Sequence, residues 1–245
     1  MNEETKRKMI RDYFKKSPNW SIVLIVIGGI FLLSGGQGIV VGLILIGVGG
    51  FAIYSSTTGK PTDQQMDEWL EEDLKTLTAK ALNKTGTDAT ELVSESVQVT
   101  GPRFWNVGGA PILYKKGMDG TLRFTPMEVS VINFTQNQLL NYTCVLDRTT
   151  SNPLNESTDE YFYKDVVSVA TKTDSKTYQM GKKLGAVQMN AAEFFTLRNA
   201  GGGEMSILLR DVKLIEKMGG GEIPTTRAEK AIQAVRKMLR EKKAQ

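Results

Sequence analysis

Apolar and polar residues are distributed in three regimes along the chain. From Trp20 to Tyr54 there are 35 consecutive residues without a charge. One helix needs about 20 apolar residues to cross the hydrocarbon of a bilayer, and two short ones need about 34 to 40. Ser34-Gly35-Gly36-Gln37-Gly38 is the one polar, turn-prone point in the run. It divides the run into Trp20–Leu33 and Ile39–Tyr54, which predicts a transmembrane helical hairpin rather than a single span. A cleaved signal has an apolar core of only about 7 to 15 residues, and here a second apolar stretch follows at once.

The second regime starts after a short polar linker, Ser55 to Thr62. In "TDQQMDEWLEEDLKTLTAKALNK", Met66, Trp69, Leu70, Leu74, Leu77 and Ala81 recur at helical spacing. Asp63 is a candidate N-cap, and the acidic first turns suit the helix dipole. The stripe is expected to pack on the domain that follows. Glu71, Glu72 and Asp73 are expected on a solvated face.

From about Leu92 to Arg210 the period becomes that of strands. "ESVQVTG", "MEVSVINFT", "QLLNYTCVLD", "DEYFYKDVVSVATKT", "EFFTLRN" and "EMSILLR" are rich in β-branched and aromatic residues and are separated by turn residues. Asp119-Gly120 predicts a hairpin between "ILYKKGM" and "TLRFT". Asn199 to Gly203 predicts a longer hairpin loop. Those three glycines precede a strand and lack a following Lys-Ser/Thr, so they are no phosphate loop. In "RDVKLIEKMGGG" a helical turn should stop at Gly219. The chain then closes with "PTTRAEKAIQAVRKMLREKK", where Thr226 and Glu229 fit a capping box. Ala228, Ala231, Ile232, Val235, Met238 and Leu239 form its apolar face, and the other face is basic.

The predicted fold class is therefore α+β: a transmembrane hairpin, then a mostly antiparallel, barrel-like β domain with a C-terminal amphipathic helix. The boundaries are a basic cytoplasmic segment at 1–19, the hairpin at 20–54, a linker and helix at 55–91, and the β-rich domain at 92–245. Several strands followed by one amphipathic helix resemble the pleckstrin-homology-like barrel, in which the helix plugs one open end. "EYFYKDVVSVATK" is similar to the aromatic-x-Asp-Ile/Val-x-x-Val strand of bacterial members. The hairpin "FFTLRNAGGGEMSILLR" and the terminal helix extend the likeness, which covers Met127 to Lys243. The first hairpin, Val129 to Asp147, has the uncharged loop "FTQNQLLNYT" and shows no basic headgroup pocket. The chain as a whole resembles bacterial two-span membrane proteins.

Charge sets the expected orientation. Lys6, Arg7, Lys8, Arg11, Lys15 and Lys16 precede the apolar run, and the turn carries no charge. Positive residues stay in the cytoplasm, so a hairpin would leave both termini there. The sequons at Asn133, Asn141 and Asn155 then have no role. The same basic residues would meet anionic lipid in the inner leaflet. The net charge of +4 is modest and gathered at the chain ends, without interleaved aromatics, so nucleic acid is not an expected partner.

The sequence holds no histidine and one cysteine, Cys144. That removes the usual general base, the Ser-His and Cys-His dyads and ordinary zinc sets. Cys144 alternates with Tyr142 and Leu146 and reads as core. Asp165 reads as a turn anchor. No catalytic, cofactor or metal residue is nominated, and no cofactor is expected. The expected role is a membrane-anchored, non-enzymatic module that binds a protein partner or its own copies. The alternative is a ligand-gated effector, for example nucleotide-sensing, whose hairpin perturbs the bilayer.

Overall fold

The computed structural model describes residues 1–15, 19–180, 184–224 and 226–243, without the side chains of residues 176, 190, 191 and 226. Lys16 and the Thr226 side chain of the expected capping box lie outside the described residues. The chain forms two compact units, Met1–Thr62 and Asp63–Gln245.

Unit 1 is helical. The segment expected only to be basic forms α1, Glu3–Phe14, capped by the Asn2 side chain, which accepts from the Glu4 amide. The apolar run gives α2, Asn19–Leu33, and α3, Gln37–Thr57. The chain reverses between them through Gly35 and Gly36, both in the left-handed region that favours glycine. The closest approach of α2 and α3 is at small residues, with Ile25, Leu32 and Ile46 packed beside them. A Cβ on Gly28 would stand 2.8 Å from the Gly42 carbonyl, and one on Gly49 would stand 2.7 Å from the Ser21 carbonyl. The two backbones therefore touch directly, as small-residue spacing allows. The large residues point outward: Ile22, Val26, Ile30, Val40, Ile44 and Phe51 are all exposed.

Length distinguishes the two helices. At about 1.5 Å per residue α3 is roughly 31 Å long, which matches a hydrocarbon core of about 30 Å. It is the one helix among the described residues long and apolar enough by itself to cross a membrane. With 15 residues, α2 reaches only about 22 Å.

Unit 2 opens with α4, Asp63–Thr85. Nine strands follow: β1 (Val97–Pro102), β2 (Leu113–Lys116), β3 (Leu122–Thr125), β4 (Met127–Phe134), β5 (Gln138–Asp147), β6 (Asn152–Phe162), β7 (Val166–Gln179), β8 (Ala186–Asn199) and β9 (Glu204–Arg210). They end in α5, Val212–Lys217, and α6, Thr226–Lys243. Every ladder is antiparallel. The sheets are a four-stranded β1-β4-β5-β6, a two-stranded β2-β3 and a three-stranded β7-β8-β9. The two predicted turns fall where expected, between β2 and β3 and between β8 and β9, and α5 ends before Gly219.

The expected barrel is not closed among the described residues. "DEYFYKDVVSVATKT" is not one strand. It breaks at a 3-10 turn, Tyr163–Asp165, that ends one sheet and starts the next. The Tyr163 ring is buried and its hydroxyl donates to the Thr135 carbonyl, so the turn is fixed in the core. β6 and β7 are left as edges. At the other corner β1 lies against β9, where any side chain on Gly101 would run into the Leu208 carbonyl.

The inner strands β4 and β5 of the four-stranded sheet are buried on both faces; all eight residues of β4 are buried. Val129, Val131, Tyr142 and Cys144 gather with Leu74, Leu77 and Ala81 of α4. Ile132, Phe134 and Leu139 gather with Ile232, Val235 and Leu239 of α6. One expectation about α4 is corrected: Asp73 is buried rather than solvated. Its position explains this, because 73 is seven residues after Met66 and four before Leu77 and so shares their stripe.

Candidate functional site

Chemistry is sparse among the described residues. Cys144 is fully buried, and burial pushes its thiol up to about 12, so no thiolate forms near neutrality. Its neighbour Tyr142 donates to Glu156 Oε2 at 2.7 Å, and Lys80 Nζ lies 2.8 Å from the same oxygen. Burial, and then the bond to Glu156, hold the Tyr142 phenol above its ordinary range. For Glu156 the upward push of burial is outweighed by the Lys80 and Tyr142 hydrogen bonds, and its carboxyl is held down. The trio links α4 to β5 and β6. No group of three or more carboxylates and thiols among the described residues could hold a metal. Asp165 lies in the 3-10 turn, where its carbonyl accepts from the Ala200 amide at 2.7 Å.

A second polar cluster is built on the stretch after β1. The Arg103 guanidinium donates to Glu128 at 3.1 Å and lies 4.8 Å from the centre of the Trp105 ring. Trp105 stacks on Tyr178 at 4.1 Å. Burial raises the Glu128 carboxyl against the opposing pull of Arg103. This is a half-buried, mutually satisfied stack that ties β1, β4 and β7 together.

Two concavities with arginines in their walls stand out among the described residues. The first is a crevice of about 490 Å³ between α4, β3 and the start of α6, with Leu70, Phe124, Met127 and Ile223 on its floor. Arg123, Arg148, Arg227 and Lys230 also line it, which suggests an anion site. The pairing removes most of that charge. Arg123 holds Asp67 through two bonds of 2.9 and 2.6 Å and Asp119 through two of 3.0 and 2.8 Å, with Asp63 at 3.6 Å. Those contacts hold the Asp119 carboxyl well below the usual carboxylate range, Arg123 first and the Thr121 amide second. Arg148 donates to the Met66 carbonyl at 2.6 Å, and Arg227 binds Gln98 and Glu71. The crevice is thus a clasp between α4, the β2–β3 hairpin and α6. It offers a phosphate little beyond Lys230.

The second concavity is a groove of about 510 Å³ lined by Val166–Val169 of β7 and by Arg236, Leu239, Arg240 and Lys243 of α6. Here the charge is available. Arg236 and Arg240 are exposed and, among the described residues, make no hydrogen bond or ion pair. The groove runs along an open sheet edge, since β7 pairs with β8 alone. Lys243 Nζ donates to the Val166 carbonyl, which places that edge beside the end of α6. From sequence these arginines read as a solvated face. What makes them a groove wall is the break at Tyr163–Asp165 that leaves β7 an edge, and nothing in the helix's own pattern signals it.

In comparisons with protein families, characterised proteins and solved structures, none matches this chain.

Proposed function

We propose that this chain is a membrane-anchored, non-enzymatic binding module. In this reading α2 and α3 form a two-span hairpin, both termini are cytoplasmic, and unit 2 is a pleckstrin-homology-like domain presented at the inner leaflet. The observation that carries it is the inversion of unit 1: large apolar side chains cover the outside of α2 and α3 while glycines and Ser21 occupy their contact. In water that surface would be a severe aggregation hazard; in hydrocarbon it is the favoured arrangement. Tilt and local thinning of the bilayer absorb the shortness of α2. Trp20 and Tyr54, both exposed, lie at the open end of the hairpin and suit the cytoplasmic interface. Four strands, then three strands, then a helix that packs on both sheets support the domain likeness.

Alkaline carbonate extraction of membranes tests the anchor. The full chain should stay with the lipid pellet, and a chain lacking Trp20–Tyr54 should be released. Release of the full chain at high pH would end the proposal.

A further inference from the structure

We infer that the open edge of β7, with the basic wall of α6 beside it, receives the acidic edge strand β6 of a second copy of this chain. The two edges are available and opposite in sign. β6 is the outer strand of its sheet, and residues 155–160 are exposed without interruption. Asp159 and Glu160 lie in that stretch and, among the described residues, their side chains make no hydrogen bond or ion pair. The groove presents Arg236 and Arg240, equally uncommitted, and Val167, which is 63% exposed on a strand edge.

Charge on an edge strand ordinarily prevents pairing. Here it discriminates. Two β6 edges repel, two β7 edges flanked by arginines repel, and a β6 edge on a β7 groove is attracted. Within one chain the Tyr163–Asp165 turn directs β6 and β7 into different sheets, so the match is left for a neighbour. Backbone hydrogen bonds would supply strand addition, and the carboxylate–guanidinium pairs its register. A lipid headgroup would use the arginines but has no ladder to offer β7. The inference rests on the anchored reading in one respect: confinement to a membrane supplies the high effective concentration that a short edge contact needs.

Cross-linking between copies tests it. Two populations of the full chain, both Cys144→Ala, one with Thr158→Cys and the other with Ser168→Cys, are reconstituted together in lipid and treated with a short bismaleimide. A mixed dimer is expected. Arg236→Glu with Arg240→Glu on the Ser168→Cys chain should lower its yield about tenfold or more. Adding Asp159→Lys and Glu160→Lys to the Thr158→Cys chain should restore it. Should the glutamate variants misfold, Arg236→Gln with Arg240→Gln should lower the yield in the same direction and make it less sensitive to salt. Absence of the mixed dimer, a yield indifferent to both sets of variants, or failure of the charge exchange to restore it would overturn the inference. So would a groove that binds an acidic peptide while copies stay uncross-linked. Failure of the anchor itself is seen separately, as loss of the chain from carbonate-washed membranes.

Discussion

Unit 1 and unit 2 place their apolar residues on opposite sides. In α2 and α3 most of the isoleucines, the valines and the phenylalanines face outward, and Gly28, Gly42, Gly49 and Ser21 lie inside with Ile25 and Ile46 beside them. In unit 2 the valines, leucines and aromatics of β4, β5, β8 and β9 lie inside, against α4 and α6. On the anchored reading proposed above, the difference follows from the solvent each unit meets. Water drives large apolar groups together, and unit 2 is assembled by that drive. Lipid exerts no such drive, so two helices gain by close backbone approach, which only small residues allow. One chain thus shows both packing logics, separated near Thr62.

The comparison breaks most readily at α6. Val235 is fully buried in unit 2. Val235→Asp should cost on the order of 4 kcal/mol, because a charge would enter an apolar site without a partner. Cys144 reports the result, being the sole cysteine and fully buried. Its folded-state thiol is raised to about 12, so it stays protonated where an unfolded thiol, near 8.5, ionises. The sign follows: this contribution is complete below about pH 8.5 and is lost as the pH climbs toward 12. At about pH 8.5 the wild-type chain should resist alkylation until denatured, and the variant should react at once. Its α2 and α3 should nonetheless remain in the membrane. Slow alkylation of the variant would mean that α6 is no part of the core.

A smaller effect is expected at the hairpin. A Cβ on Gly42 would lie 2.6 Å from the Gly28 carbonyl, so Gly42→Leu must separate the helices. Overpacking of this kind costs about 1–3 kcal/mol. In mild detergent, chymotrypsin should cut the Gly28–Gly50 segment faster in the variant, with unit 2 unaffected. In unit 2 placing a leucine at an exposed strand position, as in Thr173→Leu, should do nothing comparable.

The smallest effect concerns the clasp. Arg123→Met leaves Asp63, Asp67 and Asp119 facing one another, although Asp67 and Asp119 are about half exposed and water relieves much of the repulsion. About 1–2 kcal/mol should be lost at neutral pH. The Asp119 carboxyl is held below its ordinary value, so its stabilisation is present above about pH 4 and disappears as the pH falls further. Thermal melts of the wild type should therefore fall below about pH 4, and those of the variant should fall less. Parallel acid limbs in the two proteins would refute the role given to Arg123.

Legibility from sequence tracks how strongly burial constrains each segment. β5 was readable to the residue because "QLLNYTCVLD" is apolar and aromatic throughout and buried on both faces. β6 was missed. "NPLNESTDEYF" contains proline, asparagine and three acids, the composition of a turn, yet an edge strand tolerates proline and gains from charge. Asn155 even takes a positive φ within it. Asp73 departs from its expected solvated face for the opposite reason: helical position outweighs the preference of a carboxylate for water. α1 is hard to read from sequence because its charges hide a short apolar face of Ile10, Tyr13 and Phe14. The groove of β7 and α6 was out of reach, since it depends on which strands are edges, a property of topology and not of any one segment.

The central claim is that α2 and α3 cross the membrane as a hairpin and leave unit 2 inside. It is tested most directly by side-specific labelling of the Cys144→Ala chain. Ser34→Cys marks the hairpin turn and Glu91→Cys marks unit 2, both at exposed positions. A membrane-impermeant maleimide applied to intact cells should label Ser34→Cys, and it should reach Glu91→Cys only after the cells are opened. Labelling of Glu91→Cys in intact cells, or protection of Ser34→Cys until they are opened, would contradict the account.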